Sequence, residues 1–239
     1  MLATLLLAAV PAASSSAQTP AAQTSAQAAA PAPPVATPAP EQRHATQHVT
    51  LVTALGPVVL ELETERAPLT TANFLRYVDQ RRLDGSSFYR AMDLGRGYGL
   101  VQGGLRNDPR KLLPPVAHEP TSVTGLTHAD GAISLARAAP GTATADFFIT
   151  VGDLVSLDAQ PEGEGDTAGF AVFGRVVAGM DVVRAIMAAP TDPDRGEGVM
   201  RGQMIAAPIA IESARRSAAP PPPAPVPDTP ADDEDTIAE

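Results

Sequence analysis

The chain has 239 residues, with 17 basic against 27 acidic side chains and a net charge of −10, and it has no basic stripe of the kind that binds nucleic acid. It contains no cysteine, which excludes disulfide bonds, thiol chemistry and thiolate-bound zinc. The four histidines stand far apart without paired ligand spacing, so we interpret them as surface or loop residues and expect no metal site.

The first 17 residues have the pattern of a secretory signal peptide. An apolar run from Leu2 to Val10 is followed by small residues that end at Ala17, where we predict cleavage, although no Lys or Arg precedes the run. The alternative, a short membrane anchor, is disfavoured because the run is well below the ~20 residues that a spanning helix needs. The sequence therefore predicts export to the periplasm and no integral membrane span.

Low-complexity segments lie on both sides of a central region of ordinary globular composition. Residues 18–47 are mostly Ala, Pro, Thr and Gln, and residues 214–239 are Pro-rich and then acidic. Neither segment can bury enough apolar surface to offset the entropy of ordering it, so both are predicted to be disordered. We therefore expect one folded domain at residues 48–213, which is long enough for a single hydrophobic core.

The domain begins with two alternating apolar runs around Gly56-Pro57, which predict a hairpin of two strands. Helical spacing follows in residues 67–82, where Pro68 suits a first turn. The buried face of this helix is expected to contain Leu69, Ala72, Leu75, Tyr77 and Val78.

Further strands are predicted at residues 86–92 and 99–104, around an irregular glycine-rich segment at 93–99. Residues 105–130 are loop-like. The remaining candidates are strands at 131–139, 145–152, 170–179 and 207–214, and a second helix at 180–189. Roughly eight short strands with one early and one late helix predict a mainly β fold, a closed eight-stranded antiparallel barrel capped by two α-helices.

One charged residue is out of place in this pattern. Simple alternation along residues 86–92 places Arg90 on the same strand face as Phe88 and Met92, although an apolar face rarely holds an arginine. The glycine-rich segment that follows ends in Gln102 and two glycines.

Five short motifs in this order resemble those of the cyclophilins. They are Phe88-Tyr89-Arg90, Val101 to Gly104, Gly131 to Arg137, Ala145 to Ile149 and Phe173 to Val183. The early segment ERAPLTTANFL is also similar to the family's first helix. Each motif alone is weak, but together they cover nearly all of the predicted domain in the right order, which makes the resemblance specific.

The resemblance implies a cyclophilin-like barrel whose outer groove binds proline-containing polypeptides and isomerises their Xaa-Pro bonds, without cofactor or metal. Cyclophilins have an arginine at the position of Arg90, beside an apolar proline pocket. The glutamine that matches Gln102 would bond the substrate carbonyl and help to hold Arg90. The substrate-binding positions carried over in the same way are Leu100, Ala136, Arg137, Ala138, Asp146, Phe148, Leu157 and Phe170.

Chemistry gives an independent reason for an arginine. Twisting a peptide bond breaks its resonance and meets a barrier of ~18–20 kcal/mol. In the twisted state the prolyl nitrogen becomes a hydrogen-bond acceptor, so a permanently charged guanidinium placed nearby binds that state better than the planar one.

Each assignment has a structural alternative. Arg90 would otherwise be an edge-strand arginine whose stem covers apolar surface, and Gln102 a turn residue before two glycines. Apolar strand residues usually belong to the core, so the pocket assignments rest on the resemblance alone. Phe147 is expected in the core, because it faces away from its neighbour Phe148. Arg137 is expected to steer substrate and not to catalyse.

The sequence departs from the family pattern near the site. The segment between Arg90 and Gln102 is longer than usual, and the family's pocket phenylalanine falls on Gly99, for which Tyr98 is a possible substitute. A family glutamine is replaced by Asp146, whose carboxylate would either orient Arg90 or pair with it and weaken its donation to substrate. Tyr89 and Phe170 match family histidines, and Ser156 matches a frequent tryptophan.

These features lead to a monomeric, exported peptidyl-prolyl isomerase that acts on flexible periplasmic chains. The alternative is a cyclophilin-fold binding or chaperone module that grips proline segments without isomerising them, which Asp146 and Gly99 motivate. A further hypothesis is that the chain's own Pro-rich tails occupy the groove.

Overall fold

The structure is a computed structural model that describes residues 44–220 of the chain. The predicted signal peptide, nearly all of the predicted linker and most of the predicted tail lie outside these residues. Within residues 44–220, no helix is both long and apolar enough to cross a membrane.

Within the described part of the chain, nine strands and three α-helices make up the fold. The strands are β1 (Thr46–Thr53), β2 (Gly56–Glu63), β3 (Ser86–Gly95), β4 (Tyr98–Gly104), β5 (Ala132–Leu135), β6 (Phe147–Val151), β7 (Ala171–Ala178), β8 (Thr191–Asp192) and β9 (Met204–Ser217). The helices are α1 (Pro68–Asp79), α2 (Thr121–Thr124) and α3 (Met180–Met187), with 3₁₀ turns at Val155–Leu157 and Gly198–Met200.

Eight of the strands close into an antiparallel barrel. Their order is β1-β2-β7-β5-β6-β4-β3-β9, and β9 pairs again with β1, while the two-residue β8 adds only to the edge of β9. The predicted barrel is therefore confirmed. Its two main helices are α1 and α3, and α2 is a single turn within the segment predicted to be a loop.

Alternating apolar residues fill the barrel, as the sequence pattern predicts. The inward residues of β1 and β2, which include Val49, Leu51 and Leu60, are fully buried. Phe74 of α1 adds an aromatic ring to this core, with its centroid 5.6 Å from that of Phe147 and edge-on to it. In β1 and β2 the buried face follows from the period of two, so it needs no tertiary information.

The predicted buried face of α1 is confirmed at Leu75, Tyr77 and Val78, but it is wrong at Leu69 and Ala72. Leu69 is 51% exposed and Ala72 is also exposed, whereas polar residues point inward. Thr71 Oγ1 donates to the carbonyl of Glu63 at 3.0 Å, and Asn73 Nδ2 donates to the carbonyl of Thr144 at 2.7 Å. These bonds satisfy backbone carbonyls of neighbouring segments, so polar side chains share the buried face of the helix with apolar ones.

The segment at 93–99 is regular, contrary to the prediction of an irregular loop. β3 continues to Gly95 and β4 begins at Tyr98, so only Arg96 and Gly97 form the turn. Both turn residues have positive φ, 56° and 79°, as a tight hairpin whose twist matches its strands requires. The extra length therefore makes a longer β3–β4 hairpin.

A β-bulge in β3 changes which residues share a face. Phe88 is opposite Gly103 of β4, but Arg90 is opposite Gln102, so Tyr89 is an extra residue in the pairing. Phe88 is consequently fully buried in the barrel, while Arg90 lies outside it. The prediction that Arg90 and Phe88 share a face is wrong, because simple alternation does not include the bulge.

The strands extend slightly beyond the predicted domain limits. β9 ends at Ser217 and not near residue 213, and its last residues pair with β1. Ala214 is fully buried there, and Arg216 Nε donates to Asp79 of α1 at 2.8 Å. These contacts come from residues distant in sequence, so the composition of the tail could not indicate them.

Candidate active site

The register of three strands builds the centre of the site. Arg90 of β3 is opposite Gln102 of β4, and Gln102 is opposite Phe148 of β6. Residues directly opposite one another in an antiparallel sheet point to the same face. A cation, an amide and an aromatic ring therefore form one row on the outer surface of the barrel.

Apolar side chains surround this row and form a cluster that is separate from the barrel core. We call it the outer apolar cluster, and its members are Met92, Leu100, Ala136, Phe148, Leu154, Leu157 and Phe170. The rings of Phe148 and Phe170 meet edge to face, with centroids 5.3 Å apart. An apolar cluster outside the core can accept an apolar ligand group without disturbing the fold.

The family resemblance predicts most of this cluster. Five predicted substrate-binding residues come together in it: Leu100, Ala136, Phe148, Leu157 and Phe170. Met92 and Leu154 were not predicted, and Leu154 lies in a loop with no periodicity to mark it. Phe147 is fully buried in the barrel core, as expected from the alternation along β6.

Two glutamines hold the guanidinium of Arg90. Nη1 donates to Gln102 Oε1 at 2.8 Å, and Nε and Nη2 donate to Gln203 Oε1 at 2.8 and 2.6 Å. Nη2 also lies 3.8 Å from the sulfur of Met92, a member of the outer apolar cluster. Partial burial lowers the pKa of Arg90, but an arginine remains charged in any such environment.

Gln203 is a site residue that the sequence analysis missed. It lies just before β9, far from Arg90 in the chain, and no motif includes it. Its Nε2 donates to the carbonyl of Val199 at 2.8 Å, which turns its oxygen toward Arg90. Only the tertiary structure brings the two side chains together.

Asp146 contacts Tyr89 and not Arg90. The Tyr89 hydroxyl donates to Asp146 Oδ2 at 3.1 Å, and the backbone N–H of Arg106 donates to Oδ1 at 2.9 Å. Gln102 Nε2 in turn donates to the Tyr89 oxygen at 2.7 Å. Within the described residues, no hydrogen bond or ion pair joins Asp146 to Arg90, so Asp146 neither pairs with the guanidinium nor orients it by direct contact.

Burial dominates the electrostatics of this pair. It raises the pKa of Asp146, although the hydrogen bonds from Arg106 and Tyr89 oppose the shift. Burial also raises the pKa of Tyr89, and the nearby Asp146 charge raises it further. Tyr89 therefore stays protonated and is available as a donor.

The position of the family's pocket phenylalanine cannot hold any side chain here. A Cβ on Gly99 would lie 2.1 Å from the carbonyl oxygen of Met92, on the neighbouring strand. Tyr98, considered as a substitute, is 47% exposed and packs over Gly152. Among the described residues, the outer apolar cluster does not include Tyr98.

The side chain of Arg137 binds residues of the neighbouring loop. Its side chain is only 4% exposed, and Nη1 and Nη2 donate to Asp166 at 2.5 and 2.9 Å. Nε donates to the carbonyl of Gly169, and the guanidinium lies 5.0 Å from the centre of the Phe170 ring. In this arrangement Arg137 shapes one wall of the outer apolar cluster, while the neighbouring Ala138 is exposed.

His128 lies in a loop, as expected, but it is not at the surface. It is fully buried, with Nδ1 2.6 Å from Asp158 Oδ1 and Nε2 3.1 Å from Ser134 Oγ. Its ring stacks on Phe148 at a centroid distance of 5.7 Å. Burial lowers the pKa of His128, with Asp158 partly opposing the shift.

The Ser134–His128–Asp158 order is that of a hydrolase triad, but both Ser134 and His128 have no exposed surface. A nucleophile must reach its substrate, so this group is structural. This group supports Phe148, because the His128 ring stacks on the Phe148 ring.

Comparisons with known proteins identify the family and the fold of the chain. The family model described as "Cyclophilin type peptidyl-prolyl cis-trans isomerase/CLD" matches residues 48–214. A peptidyl-prolyl cis-trans isomerase of Streptomyces antibioticus is 37% identical over 173 residues, which cover 70% of this chain and 96% of that protein. Peptidyl-prolyl cis-trans isomerase A of Dickeya dadantii is 36% identical over 172 residues, which cover 70% of this chain and 83% of that protein.

Solved structures show the same fold. A cyclophilin type peptidyl-prolyl cis-trans isomerase from Cryptosporidium parvum matches 74% of this chain and 100% of its own, with a TM-score of 0.56 and 19% identity. A second structure of that protein, in the presence of the dipeptide Ala-Pro, matches 72% of this chain and 100% of its own, with a TM-score of 0.54 and 20% identity.

Proposed function

The chain belongs to the cyclophilin family and is a peptidyl-prolyl cis–trans isomerase, and we propose that it accelerates Xaa-Pro rotation in flexible periplasmic chains, with Arg90 as the essential donor. Uncatalysed rotation takes roughly tens of seconds and limits folding, which gives such an enzyme a purpose outside the cytoplasm. The observation that carries the proposal is the guanidinium of Arg90, held by two glutamines at the edge of the outer apolar cluster.

The outer apolar cluster is the proposed site for the proline ring. Phe148 and Phe170 supply two ring faces at right angles, and Leu100 and Leu157 add aliphatic surface. A pyrrolidine ring is apolar and rigid, so it loses little entropy on entering such a site. The structure of the Cryptosporidium parvum relative in the presence of the dipeptide Ala-Pro supports a proline-containing ligand.

Arg90 is proposed to bind the twisted state of the Xaa-Pro bond. The guanidinium has five N–H donors, and those that Gln102 and Gln203 do not engage remain for the substrate. Because the glutamines hold the group in place beforehand, little reorganisation is needed when the prolyl nitrogen becomes an acceptor. The bond forms fully only in the twisted state, which is the condition for a faster reaction.

The main reason for considering a non-catalytic binding module no longer applies. That hypothesis assumed that Asp146 neutralises Arg90, but Asp146 bonds to Tyr89 and to the backbone of Arg106. The donors of Arg90 are therefore not consumed by a carboxylate. Gly99 also does not leave a void, because the Met92 backbone and the Met187 side chain approach it closely.

The test is the isomerisation rate of a short Xaa-Pro peptide with the wild-type chain, with Arg90→Ala and with Arg175→Ala. Arg175 is a matched control, because it lies on β7, pairs with Glu61 and has a side chain that is 64% exposed. We expect Arg90→Ala to lower kcat/KM at least about tenfold, since a hydrogen bond from a charged group contributes roughly 1.5–3 kcal/mol. Arg175→Ala should keep the wild-type rate.

A wild-type chain that binds the peptide without accelerating rotation would establish the binding-module alternative. An Arg90→Ala variant as active as the wild type would remove Arg90 from the mechanism.

A further inference from the structure

We propose that Tyr89 and Asp146 are positioning residues that set the orientation of the Gln102 carboxamide and thereby keep its oxygen on Arg90. This inference rests on the proposed role of Arg90. It adds a specific role for Tyr89 and Asp146, two residues that depart from the family pattern. It is carried by an unbroken series of hydrogen bonds from Asp146 to Arg90.

The direction of each hydrogen bond follows from the first. An ionised carboxylate has no proton, so Asp146 only accepts, from the Arg106 backbone and from the Tyr89 hydroxyl. A phenol that donates its single proton to Asp146 can only accept on its other side. Gln102 must therefore present its NH₂ group to Tyr89, which leaves its oxygen for Arg90.

The opposite orientation of Gln102 would weaken the hold on Arg90. Its NH₂ group would then face the guanidinium, so two donors would meet without an acceptor between them. Gln203 would still bind Nε and Nη2, because its own orientation is set separately by the Val199 carbonyl. Nη1 would lose its partner, and the guanidinium would be free to tilt away from the substrate.

The fold provides a specific binding position for the Asp146 carboxylate. Asp146 and Tyr89 are each only 7% exposed, so a charge at this place needs internal donors. Gly104 makes room for it, since a Cβ there would lie 2.3 Å from Asp146 Oδ1. The bulge in β3 directs Tyr89 to the same outer region as Arg90, where its hydroxyl reaches both Asp146 and Gln102.

The first experiment measures kcat and KM of the full chain for an Xaa-Pro peptide. Tyr89→Phe removes the linking hydroxyl, and Asp146→Asn removes the charge that orients it. Tyr77→Phe is the matched control, because Tyr77 is another buried tyrosine, whose oxygen accepts from the Leu113 backbone at 2.8 Å. We expect both site variants to lower kcat about five- to tenfold with little change in KM, and the control to keep the wild-type kcat.

A double-mutant cycle separates positioning from general structural damage. Tyr89→Phe in a Gln102→Ala background should cause no further loss, because there is then no carboxamide to orient. An equal loss in both backgrounds would overturn the inference, and so would wild-type kcat in both Tyr89→Phe and Asp146→Asn.

A pH profile gives a second readout. The ionisable groups facing Asp146 are Tyr89 on β3, Arg106 after β4 and, farther away, Tyr77 on α1, whose pKa is raised by burial and, to a smaller extent, by the Asp146 charge. Burial raises the pKa of Asp146 above the usual range of an aspartate. As the pH falls toward that pKa, the carboxylate gains a proton, and kcat should therefore decrease. Tyr89→Phe should lack this acid limb, and an unchanged limb in that variant would count against the inference.

The orientation itself is observable without catalysis. In the wild-type chain, nuclear Overhauser contacts should join the side-chain amide protons of Gln102 to the ring of Tyr89, and Asp146→Asn should weaken them. Absence of these contacts in the wild type would disprove the proposed orientation. Arg90→Ala, assayed in parallel, tests the proposed catalytic role of Arg90 separately. Full activity in that variant would refute that role. The nuclear Overhauser contacts of Gln102 would then still decide whether its carboxamide has the proposed orientation.

Discussion

Arg90 shows how a single side chain depends on partners from distant parts of the chain. Gln102 contacts it across a hairpin, whereas Gln203 comes from the segment before the last strand. Neither glutamine carries a charge, so the guanidinium is fixed in direction without being neutralised. A carboxylate in either place would hold Arg90 more strongly but would compete with the substrate for its charge.

Gln203→Ala should therefore impair catalysis although no family motif contains this residue. The substitution removes two of the hydrogen bonds to Arg90, so we expect kcat/KM to fall about five- to thirtyfold. Gln80→Ala is the matched control, since Gln80 is exposed and also accepts from an arginine, Arg82, at 2.7 Å. Comparable rates in both variants would show that Gln203 does not position Arg90.

His128 connects the stability of the chain to pH. Burial lowers its pKa in the folded state, so the unfolded chain takes up the proton first as the pH falls. Its contribution to stability is therefore fully present above the unfolded value near 6.5 and is lost as the pH falls from there toward the lowered folded value.

The corresponding experiment is urea unfolding between about pH 7 and pH 5. The free energy of unfolding should decrease with falling pH in the wild type, and less steeply in His128→Asn. Equal slopes in the two chains would exclude His128 as the cause.

At the scale of elements, β3 and β9 determine the shape of the site. The bulge in β3 separates Phe88, which packs in the barrel, from Arg90, which lies outside. β9 pairs with β3 on one side and with β1 on the other, and it thereby closes the barrel. A strand that completes a closed sheet removes two exposed edges at once.

The end of β9 should contribute measurably to stability. A chain that ends at Ser213 lacks the last part of the pairing with β1 and the ion pairs of Arg215 with Asp84 and of Arg216 with Asp79. Both arginines are partly exposed, so their ion pairs contribute little, and most of the effect comes from backbone pairing and buried Ala214.

We expect the chain that ends at Ser213 to be about 1–3 kcal/mol less stable than one that ends at Ser217, as measured by urea unfolding. Equal unfolding midpoints would show that the strand beyond residue 213 adds nothing to the barrel.

At the scale of the whole molecule, the barrel core and the proposed site occupy different sides of the same sheet. The inner face holds the core, and the outer face holds the outer apolar cluster and Arg90. We therefore expect substitutions in the outer apolar cluster to leave the barrel core intact. This separation also makes the activity variants interpretable, because they need not unfold the chain.

Export is the prediction that belongs to the entire chain. When the full sequence is expressed in a Gram-negative host, we expect a periplasmic protein whose first residue is Gln18, as the apolar run and small residues before it indicate. Mass spectrometry of the periplasmic fraction measures this directly, and a chain that lacks residues 1–17 is the control that should stay in the cytoplasm. An intact amino terminus in the cytoplasmic fraction would contradict the prediction.

The sequence by itself determined the barrel, the two main helices and the placement of Arg90 beside Gln102 in neighbouring strands. Strand alternation and motif order are local properties, so they could be seen in residues such as Val49, Leu51 and Phe147 without any tertiary information. The family motifs likewise named most of the outer apolar cluster.

Only the tertiary structure decided the rest. The bulge at Tyr89, the partnership of Gln203 with Arg90 and the burial of His128 depend on contacts between segments that are far apart in sequence. A polar side chain is buried only when partners satisfy its hydrogen bonds, and those partners cannot be identified from its own neighbourhood. For that reason Asp146 was expected beside Arg90, whereas the fold places it one tyrosine and one glutamine away.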